Sequence, residues 1–173
     1  MNILVVVDMQ NDFIDGALGT QEAQMILPKV VETTKSWNGP ILFTRDTHGD
    51  NYLESQEGKH LPVPHCIRDT KGWEIASDLQ EFVTLPPLDK PNFGSLDLVP
   101  RLRELQGNTP ESELTITLIG LCTDICVLSN AIILKPAFPE ASVEVIGDCC
   151  AGVTPDSHKN ALSAMGMCQI KVV

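Results

Sequence analysis

The feature that most constrains the fold is the regular alternation of short apolar runs with longer segments of helical periodicity. The runs are rich in Val, Ile and Leu and nearly continuous, which is typical of parallel strands buried on both faces. The candidate strands cover residues 2–7, 40–44, 81–85, 114–120, 142–147 and 169–173. Strands that alternate with helices predict an α/β fold, a three-layer α/β/α sandwich with a six-stranded, mainly parallel, Rossmann-like sheet and right-handed crossovers.

Helical spacing of apolar side chains predicts four helices between these strands. They cover residues 28–37, 95–106, 123–135 and 154–166. Pro28 and Pro155 each suit the first position of a helix, and Thr154 is a good capping residue. Pro136 is expected to stop the third helix.

Length and composition predict a single domain over residues 1–173. Hydrophobic side chains make up 43% of the chain and charged ones 20%, which is enough apolar material for a full core without disulfide bridges. Repeats, low-complexity tracts and flexible linkers are absent from the sequence. The six cysteines are therefore expected to be reduced thiols in a cytoplasmic protein.

Charge and hydropathy exclude two classes of partner. Lys and Arg number 12 against 23 Asp and Glu, a formal charge of −11, whereas nucleic-acid binding depends on basic side chains that neutralise phosphates. The N-terminal apolar run lacks a basic start, so it is not expected to act as a secretion signal. The apolar stretches 114–123 and 125–134 are about half the ~20 residues that cross a bilayer. We expect neither nucleic acid nor membrane as a partner.

Three side chains with chemical potential follow predicted strands, and chemistry in such sheets collects at the carboxyl ends of the strands. They are Asp8, Lys90 and Cys126. Cys126 falls in the first turn predicted for the third helix, where backbone N–H groups and the helix dipole favour a thiolate and can hold an oxyanion. Taken singly, each residue has an ordinary structural explanation. Their convergence at one sheet edge favours a nucleophile, a base and a cation.

A second group of side chains could bind a metal ion. Asp46 and His48 are two residues apart on an extended segment, so both point to the same side, and a later histidine could complete the face. The candidates that follow are Glu54, Glu57, His60 and His65. Mixed oxygen and nitrogen ligands suit Zn²⁺, with Mn²⁺ or Fe²⁺ as alternatives. Spacing alone is equally compatible with an exposed polar loop.

Five short segments then occur in one order along nearly the whole chain. They are residues 5–13 (VVVDMQNDF), 44–48 (TRDTH), 64–66 (PHC), 89–93 (DKPNF) and 120–127 (GLCTDICV). In this order they resemble the cysteine hydrolase superfamily that includes nicotinamidases and isochorismatase-like proteins. Each segment is a weak match alone, but five in register make the resemblance strong. It implies an isochorismatase-like hydrolase fold.

The resemblance also implies a catalytic triad. Cys126 would be the nucleophile, Asp8 the acid and base, and Lys90 the stabiliser of the thiolate. The family carries a cis peptide just before the nucleophile helix, here between Leu121 and Cys122. The backbone N–H groups of Cys122 and Cys126 would then form the oxyanion hole.

The metal segment makes the chain look like a nicotinamidase, because isochorismatase-type members generally lack it. The motif implies Asp46, His48 and His65 as ligands of a divalent metal, with Glu57 as the acidic ligand that some members add and Glu54 as the alternative. In nicotinamidases the metal receives the pyridine nitrogen of the substrate. It would therefore orient the substrate rather than activate the attacking group.

One segment departs from the family pattern. Members often place an aromatic residue shortly before the second metal histidine to sandwich the pyridine ring, whereas this chain has Leu61-Pro62-Val63-Pro64. Phe13 and Phe93 remain as ring contacts, with Leu61 beside them in the expected substrate site. The departure weakens the case for nicotinamide more than the case for amide hydrolysis by a thiolate.

Three functions stay open at this point. The first is hydrolysis of nicotinamide to nicotinate and ammonia. The second uses the same triad on another small amide, such as a carbamoyl or ureido compound, with the metal site vestigial or structural. The third is a non-catalytic redox or metal-binding module built on Cys122 and Cys126, which gives Asp8 and Lys90 no role. The resemblance further implies a homo-oligomer.

Overall fold

The computed structural model describes all residues from Met1 to Val173 and contains one six-stranded sheet. All of its neighbouring strands run parallel. The strands are β1 Asn2–Val7, β2 Ile41–Asp46, β3 Leu88–Lys90, β4 Thr115–Leu121, β5 Ser142–Ala151 and β6 Lys171–Val172. Their spatial order is β3-β2-β1-β4-β5-β6, so the direction of winding reverses between β1 and β4.

Six α-helices connect the strands. They are α1 Asn11–Ile14, α2 Gln21–Ser36, α3 Gln56–His60, α4 Leu98–Gln106, α5 Leu128–Ala137 and α6 Pro155–Met167. A π-helical segment, Thr123–Val127, leads from β4 directly into α5. No helix combines the length and the apolar character that crossing a bilayer requires.

The two faces of β1 show how the layers are built. Ile3, Val5 and Val7 belong to the apolar cluster beneath α4, α5 and α6. Leu4 and Val6 point the other way, into the cluster beneath α2. All five side chains are fully buried, as expected for a central parallel strand covered on both faces. The predicted three-layer sandwich is confirmed.

The predicted strand over residues 81–85 is wrong. A 3₁₀ helix occupies Ser77–Phe82, and its buried Leu79 packs into the cluster beneath α2. Pro86 and Pro87 follow, and neither has an N–H group to donate to a sheet. Pairing with β2 therefore starts only at Leu88, where β3 begins.

The helix boundaries also differ from the prediction. Helix α2 begins at Gln21 and carries Pro28 inside it, because Thr20 caps the helix by accepting the Ala23 N–H at 3.0 Å. The second predicted helix begins at Leu98, three residues later than expected. Pro136 lies within α5, not after it. At α6 the prediction is confirmed, since Thr154 forms a capping box with Ser157.

Candidate active site

The carboxyl ends of four neighbouring strands supply the site. Asp8 follows β1, Asp46 and Lys90 end β2 and β3, and Cys126 lies just beyond β4. These strands surround the point at which the strand order reverses. This is where the crevice of a doubly wound sheet forms, so the fold itself brings the four side chains together.

Lys90 lies between the other two members of the predicted triad. Its Nζ is 2.6 Å from Asp8 Oδ2 and 3.5 Å from Cys126 Sγ. Asp8 and Lys90 are completely buried, and Cys126 is only 4% exposed. The structure therefore places a thiol, a carboxylate and an ammonium in mutual contact away from solvent.

Thr44 holds the Asp8 carboxylate in place and is absent from the sequence prediction. Its hydroxyl accepts the Asp8 N–H at 3.3 Å and donates to Asp8 Oδ1 at 2.6 Å. Asp8 itself has a φ of +48°, in the left-handed region that Asp tolerates better than most residues. Thr44 lies on β2, one strand away from β1, so strand pairing was the signal that could have identified it.

Burial dominates the electrostatics of this group. It raises the pKa of Asp8, and the Lys90 ammonium opposes that rise only in part. Burial and the neighbouring Asp8 raise the pKa of the Cys126 thiol well above its ordinary value, whereas the sequence predicts a thiol whose pKa is lowered. Burial works against a charged Lys90, but Asp8, Cys126 and Asp46 outweigh it and raise the lysine pKa. Burial thus favours the protonated thiol, and Asp8 is the carboxyl group adjacent to it.

The four predicted metal ligands come together beside the triad. Ligand atoms of Asp46, His48, Glu57 and His65 all lie within 4.8 Å of one another. Asp46 Oδ2 is 2.9 Å from His48 Nε2 and 3.5 Å from His65 Nε2. Glu57 Oε1 lies 3.7 Å and 3.6 Å from the same two nitrogens.

The other acidic and imidazole candidates lie outside this cluster. Glu54 ends a 3₁₀ turn and is exposed, so the structure favours Glu57 as the acidic member. His60 is exposed, and its Nδ1 lies 2.8 Å from the Gln56 carbonyl oxygen on its own helix. Neither residue is part of the group that could hold an ion.

The donor set fits a divalent cation. His65 Nδ1 donates to the Val63 carbonyl at 2.8 Å, which leaves the Nε2 lone pair directed at the cluster. Asp46 Oδ1 is buried without a hydrogen-bond partner. Burial and the nearby Asp46 charge raise the pKa of Glu57, a repulsion that a cation would relieve. Two imidazoles and two carboxylates are typical ligands of Zn²⁺ and related metals.

Two further residues support the cluster, and the sequence prediction missed both. Gln10 is fully buried; its side chain accepts the Asp46 N–H at 2.7 Å and donates to the Asp46 carbonyl at 2.9 Å. The ring centroid of Tyr52 lies 4.7 Å from that of His48 and 5.0 Å from that of His65. Gln10 stands two residues after Asp8, the same spacing that drew attention to His48 after Asp46.

A cavity of about 310 Å³ opens onto both groups. Phe13, Leu61 and Phe93, the three predicted substrate contacts, all line it, and so do Cys126 and His65. Ile125 and Val153 add apolar wall that the sequence did not predict. The result is a small, mainly apolar pocket with reactive groups on one side, the usual form of a small-molecule site.

The turn before Cys126 has the backbone that the resemblance implied. The peptide bond between Leu121 and Cys122 is cis, as the resemblance implied. Cys122 lines the same cavity as Cys126. Cys126 itself lies in the π-helical segment before α5, not in the first turn of the α-helix.

The chain is similar in sequence to known proteins. The isochorismatase domain family matches residues 2–173. The nicotinamidase/pyrazinamidase of Mycobacterium tuberculosis is 25% identical over 191 residues, which cover 100% of this chain and 98% of the relative.

Two solved structures share the fold over all or nearly all of their length. The pyrazinamidase/nicotinamidase of Streptococcus mutans superposes with a TM-score of 0.82 at 26% identity, covering 100% of both chains. The pyrazinamidase of Pyrococcus horikoshii in complex with zinc has a TM-score of 0.76 at 28% identity, covering 99% of this chain and 98% of the other.

Proposed function

Since the chain belongs to the isochorismatase family and is a hydrolase of amide C–N bonds, we propose that its substrate is nicotinamide, which it converts to nicotinate and ammonia. One observation carries the proposal. The Asp8–Lys90–Cys126 group and the metal-binding cluster open onto the same small cavity. A carboxamide on a nitrogen-containing ring can present its carbonyl carbon to Cys126 and the lone pair of its ring nitrogen to the metal-binding cluster at the same time.

In the first step Asp8 takes the proton of Cys126 as the sulfur attacks the carboxamide carbon. Lys90 contacts both side chains. Its ammonium balances the negative charge as that charge passes from the Asp8 carboxylate to the sulfur and then to the substrate oxygen. The backbone N–H groups of Cys122 and Cys126 receive the oxygen of the tetrahedral intermediate. Asp8 then protonates the departing nitrogen, the C–N bond breaks, and ammonia leaves a thioester on Cys126.

In the second step water completes the reaction. Asp8, again a carboxylate, takes a proton from water, whose oxygen attacks the thioester carbon. The C–S bond breaks, and the proton held by Asp8 returns to the sulfur. The nicotinic acid so formed leaves as nicotinate once its carboxyl proton has passed to the solvent or to the released ammonia. Burial of Asp8 raises its pKa toward that of the groups with which it exchanges protons, which suits a residue that acts first as base and then as acid.

Asp46, His48, Glu57 and His65 would hold the metal, for which we propose Zn²⁺ because a pyrazinamidase with the same fold is known in complex with zinc. When bound, the ion supplies a Lewis-acidic site that binds the ring nitrogen and so orients the carboxamide. Phe13 and Phe93 line the cavity where they would contact the ring, and Leu61 would cover it.

The lining of the cavity favours a neutral amide over a carbamoyl amino acid. It includes the carboxylates of Asp46 and Glu57 but no Lys or Arg. The Lys90 ammonium is fully buried and is paired with Asp8. A carboxylate on the substrate would therefore find no cationic side chain among the residues that line the cavity. A redox module is disfavoured for a different reason, since it leaves the buried Asp8–Lys90 pair without a function.

Ammonia release tests the proposal directly. The purified enzyme should hydrolyse nicotinamide and pyrazinamide, and N-carbamoyl amino acids should be poor substrates. Cys126→Ala should lose turnover while it keeps its bound metal and its melting temperature, because the thiol packs as a small buried side chain. Ammonia release that survives in Cys126→Ala would contradict the assigned nucleophile. Because the proposed product is nicotinate, we propose that the reaction belongs to NAD salvage.

A further inference from the structure

A buried asparagine connects the two sides of the pocket. Asn130 lies on α5 one turn after Cys126 and is completely buried. Its Nδ2 donates to the carbonyl of Cys126 at 2.9 Å and, more weakly, to the carbonyl of Phe93 at 3.4 Å. Its Oδ1 accepts the N–H of Ser95 at 2.9 Å. One amide therefore bonds to the backbone of the nucleophile and to the loop that carries the ring contact.

That loop is pressed closely onto α5. A Cβ atom added to Gly94 would lie 2.6 Å from Ile133 Cδ1 and 3.1 Å from Ser129 Cβ. The loop also follows Lys90, whose Nζ donates to the Asn92 carbonyl at 3.1 Å. The position of the loop on the helix thus influences both the ring contact and the ammonium of the triad.

The backbone around Cys126 is irregular. It belongs to a π-helical segment in which the Val127 N–H donates to the Cys122 carbonyl at 3.0 Å, five residues back. The regular α-helical bonding of α5 is established only from Leu128 onward. The Asn130 amide therefore fixes a carbonyl at the junction between two helical geometries.

We propose that Asn130 is a positioning residue that sets the separation between the Cys126 thiol and the Phe93 side of the pocket. The inference rests on the proposed function only in taking Cys126 as the nucleophile. A side chain at this position has to donate to carbonyls and accept an N–H in a buried setting, which a neutral amide does and an aliphatic residue does not. Loss of the amide leaves these backbone groups unpaired and frees both sides to shift.

Two substitutions separate the two sides of the contact. Asn130→Ala removes every bond of the side chain. Asn130→Thr restores one, because a helical threonine hydroxyl donates to the carbonyl four residues earlier, here that of Cys126, and is too short to reach the loop. Asn160→Ala, on the exposed side of α6, is the control for loss of an asparagine from a helix.

Each variant is assayed for kcat, KM, melting temperature and the rate at which iodoacetamide alkylates Cys126, followed by peptide mass spectrometry. In Asn130→Ala we expect kcat and the alkylation rate to fall roughly 10- to 100-fold and KM to rise several-fold, since small misplacement of reacting groups has effects of this size. Asn130→Thr should recover most of kcat and of the alkylation rate while KM stays raised. Asn160→Ala should match the wild type.

A purely structural role for Asn130 predicts a different outcome, namely a lower melting temperature with unchanged kinetic constants for the folded protein. Wild-type constants in Asn130→Ala would overturn the proposal. If Asn130→Ala does not fold, the threonine variant provides the test. An Asn130→Thr protein whose Cys126 is alkylated much more slowly than in the wild type would overturn the proposal as well. The alkylation rate needs no substrate, so the proposal stays testable even if nicotinamide is not hydrolysed. Failure to hydrolyse nicotinamide would contradict the proposed function alone, whereas an active Cys126→Ala would contradict the nucleophile on which both proposals rest.

Discussion

Lys90 shows most clearly how a single residue links stability and chemistry. Its ammonium is fully buried, lies 2.6 Å from Asp8 and contacts the Cys126 sulfur. Burial alone would lower the lysine pKa, yet the surrounding anionic groups raise it, so the charge is retained. The lysine therefore both neutralises a buried carboxylate and faces the sulfur that becomes negative in the proposed mechanism.

Removal of this ammonium should harm folding and catalysis together. We expect Lys90→Met to lower the free energy of unfolding by about 3–5 kcal/mol, because one partner of a buried ion pair remains without the other. Ammonia release should be abolished. Urea denaturation measures the first effect, with Lys35→Met on the exposed end of α2 as control. A Lys90→Met protein as stable as that control would contradict the assigned role of the pair.

Thr44 offers a test based on pH. Its hydroxyl bond lowers the pKa of Asp8, against the larger effect of burial. Thr44→Val keeps the shape of the side chain and removes that bond, so the pKa of Asp8 should rise further. Because Asp8 has to be a carboxylate to accept the thiol proton, the acid limb of the kcat/KM profile should move to higher pH. An unmoved or downward-shifted limb would show that Asp8 does not control it.

The residues of the site were predictable to different degrees. Asp8, Lys90 and Cys126 each follow a strand in the sequence, and a parallel sheet brings such ends to one edge. Thr44 acts through a contact between segments that lie far apart in the chain, so no local pattern indicates it, whereas Gln10 follows Asp8 at the same two-residue spacing at which His48 follows Asp46. Their roles stay predictions until variants are measured.

Among the elements, central strands were predicted best and sheet edges worst. Strand β1 has the predicted bounds because its continuous apolar run is buried on both faces. Strand β3 is only three residues long and carries Asp89 and Lys90, so its pairing with β2 leaves almost no apolar signature. The apolar residues nearby form a 3₁₀ helix instead. A local run of apolar residues indicates that a segment is buried, but it does not distinguish a β-strand from a 3₁₀ helix.

The contact between β1 and β4 gives a prediction at the scale of these elements. Gly120 has a φ of +117°, and a Cβ atom there would overlap the Val7 carbonyl oxygen. Gly120→Ala should therefore destabilise the protein by more than about 1 kcal/mol. Gly166→Ala, in α6 with no atom within 4 Å of the added methyl group, should stabilise it by about 0.4–1 kcal/mol. Thermal and urea melts of the pair compare the signs directly; equal signs would contradict the close approach of the strands.

At the scale of the whole molecule, different segments of the chain supply the two parts of the site. Strands β1, β3 and β4 lead into the triad, while β2, α3 and the loop at His65 carry the metal-binding cluster. The two groups touch where Lys90 Nζ lies 3.6 Å from Asp46 Oδ1. A single domain, a homo-oligomer and a cytoplasmic location stay predictions from the sequence.

This division predicts that metal removal separates substrate orientation from thiol reactivity. Removal of the metal with a chelator should abolish nicotinamide turnover, and added Zn²⁺ should restore it, because the metal is proposed to bind the ring nitrogen and so orient the substrate. Benzamide has no ring nitrogen, so its turnover should be slow and insensitive to the metal. The alkylation rate of Cys126 should change little on chelation, since Asp8 and Lys90 contact the thiol directly. If chelation slows benzamide turnover and alkylation as much as nicotinamide turnover, the ion supports the triad itself, and the assignment of a purely orienting metal is wrong.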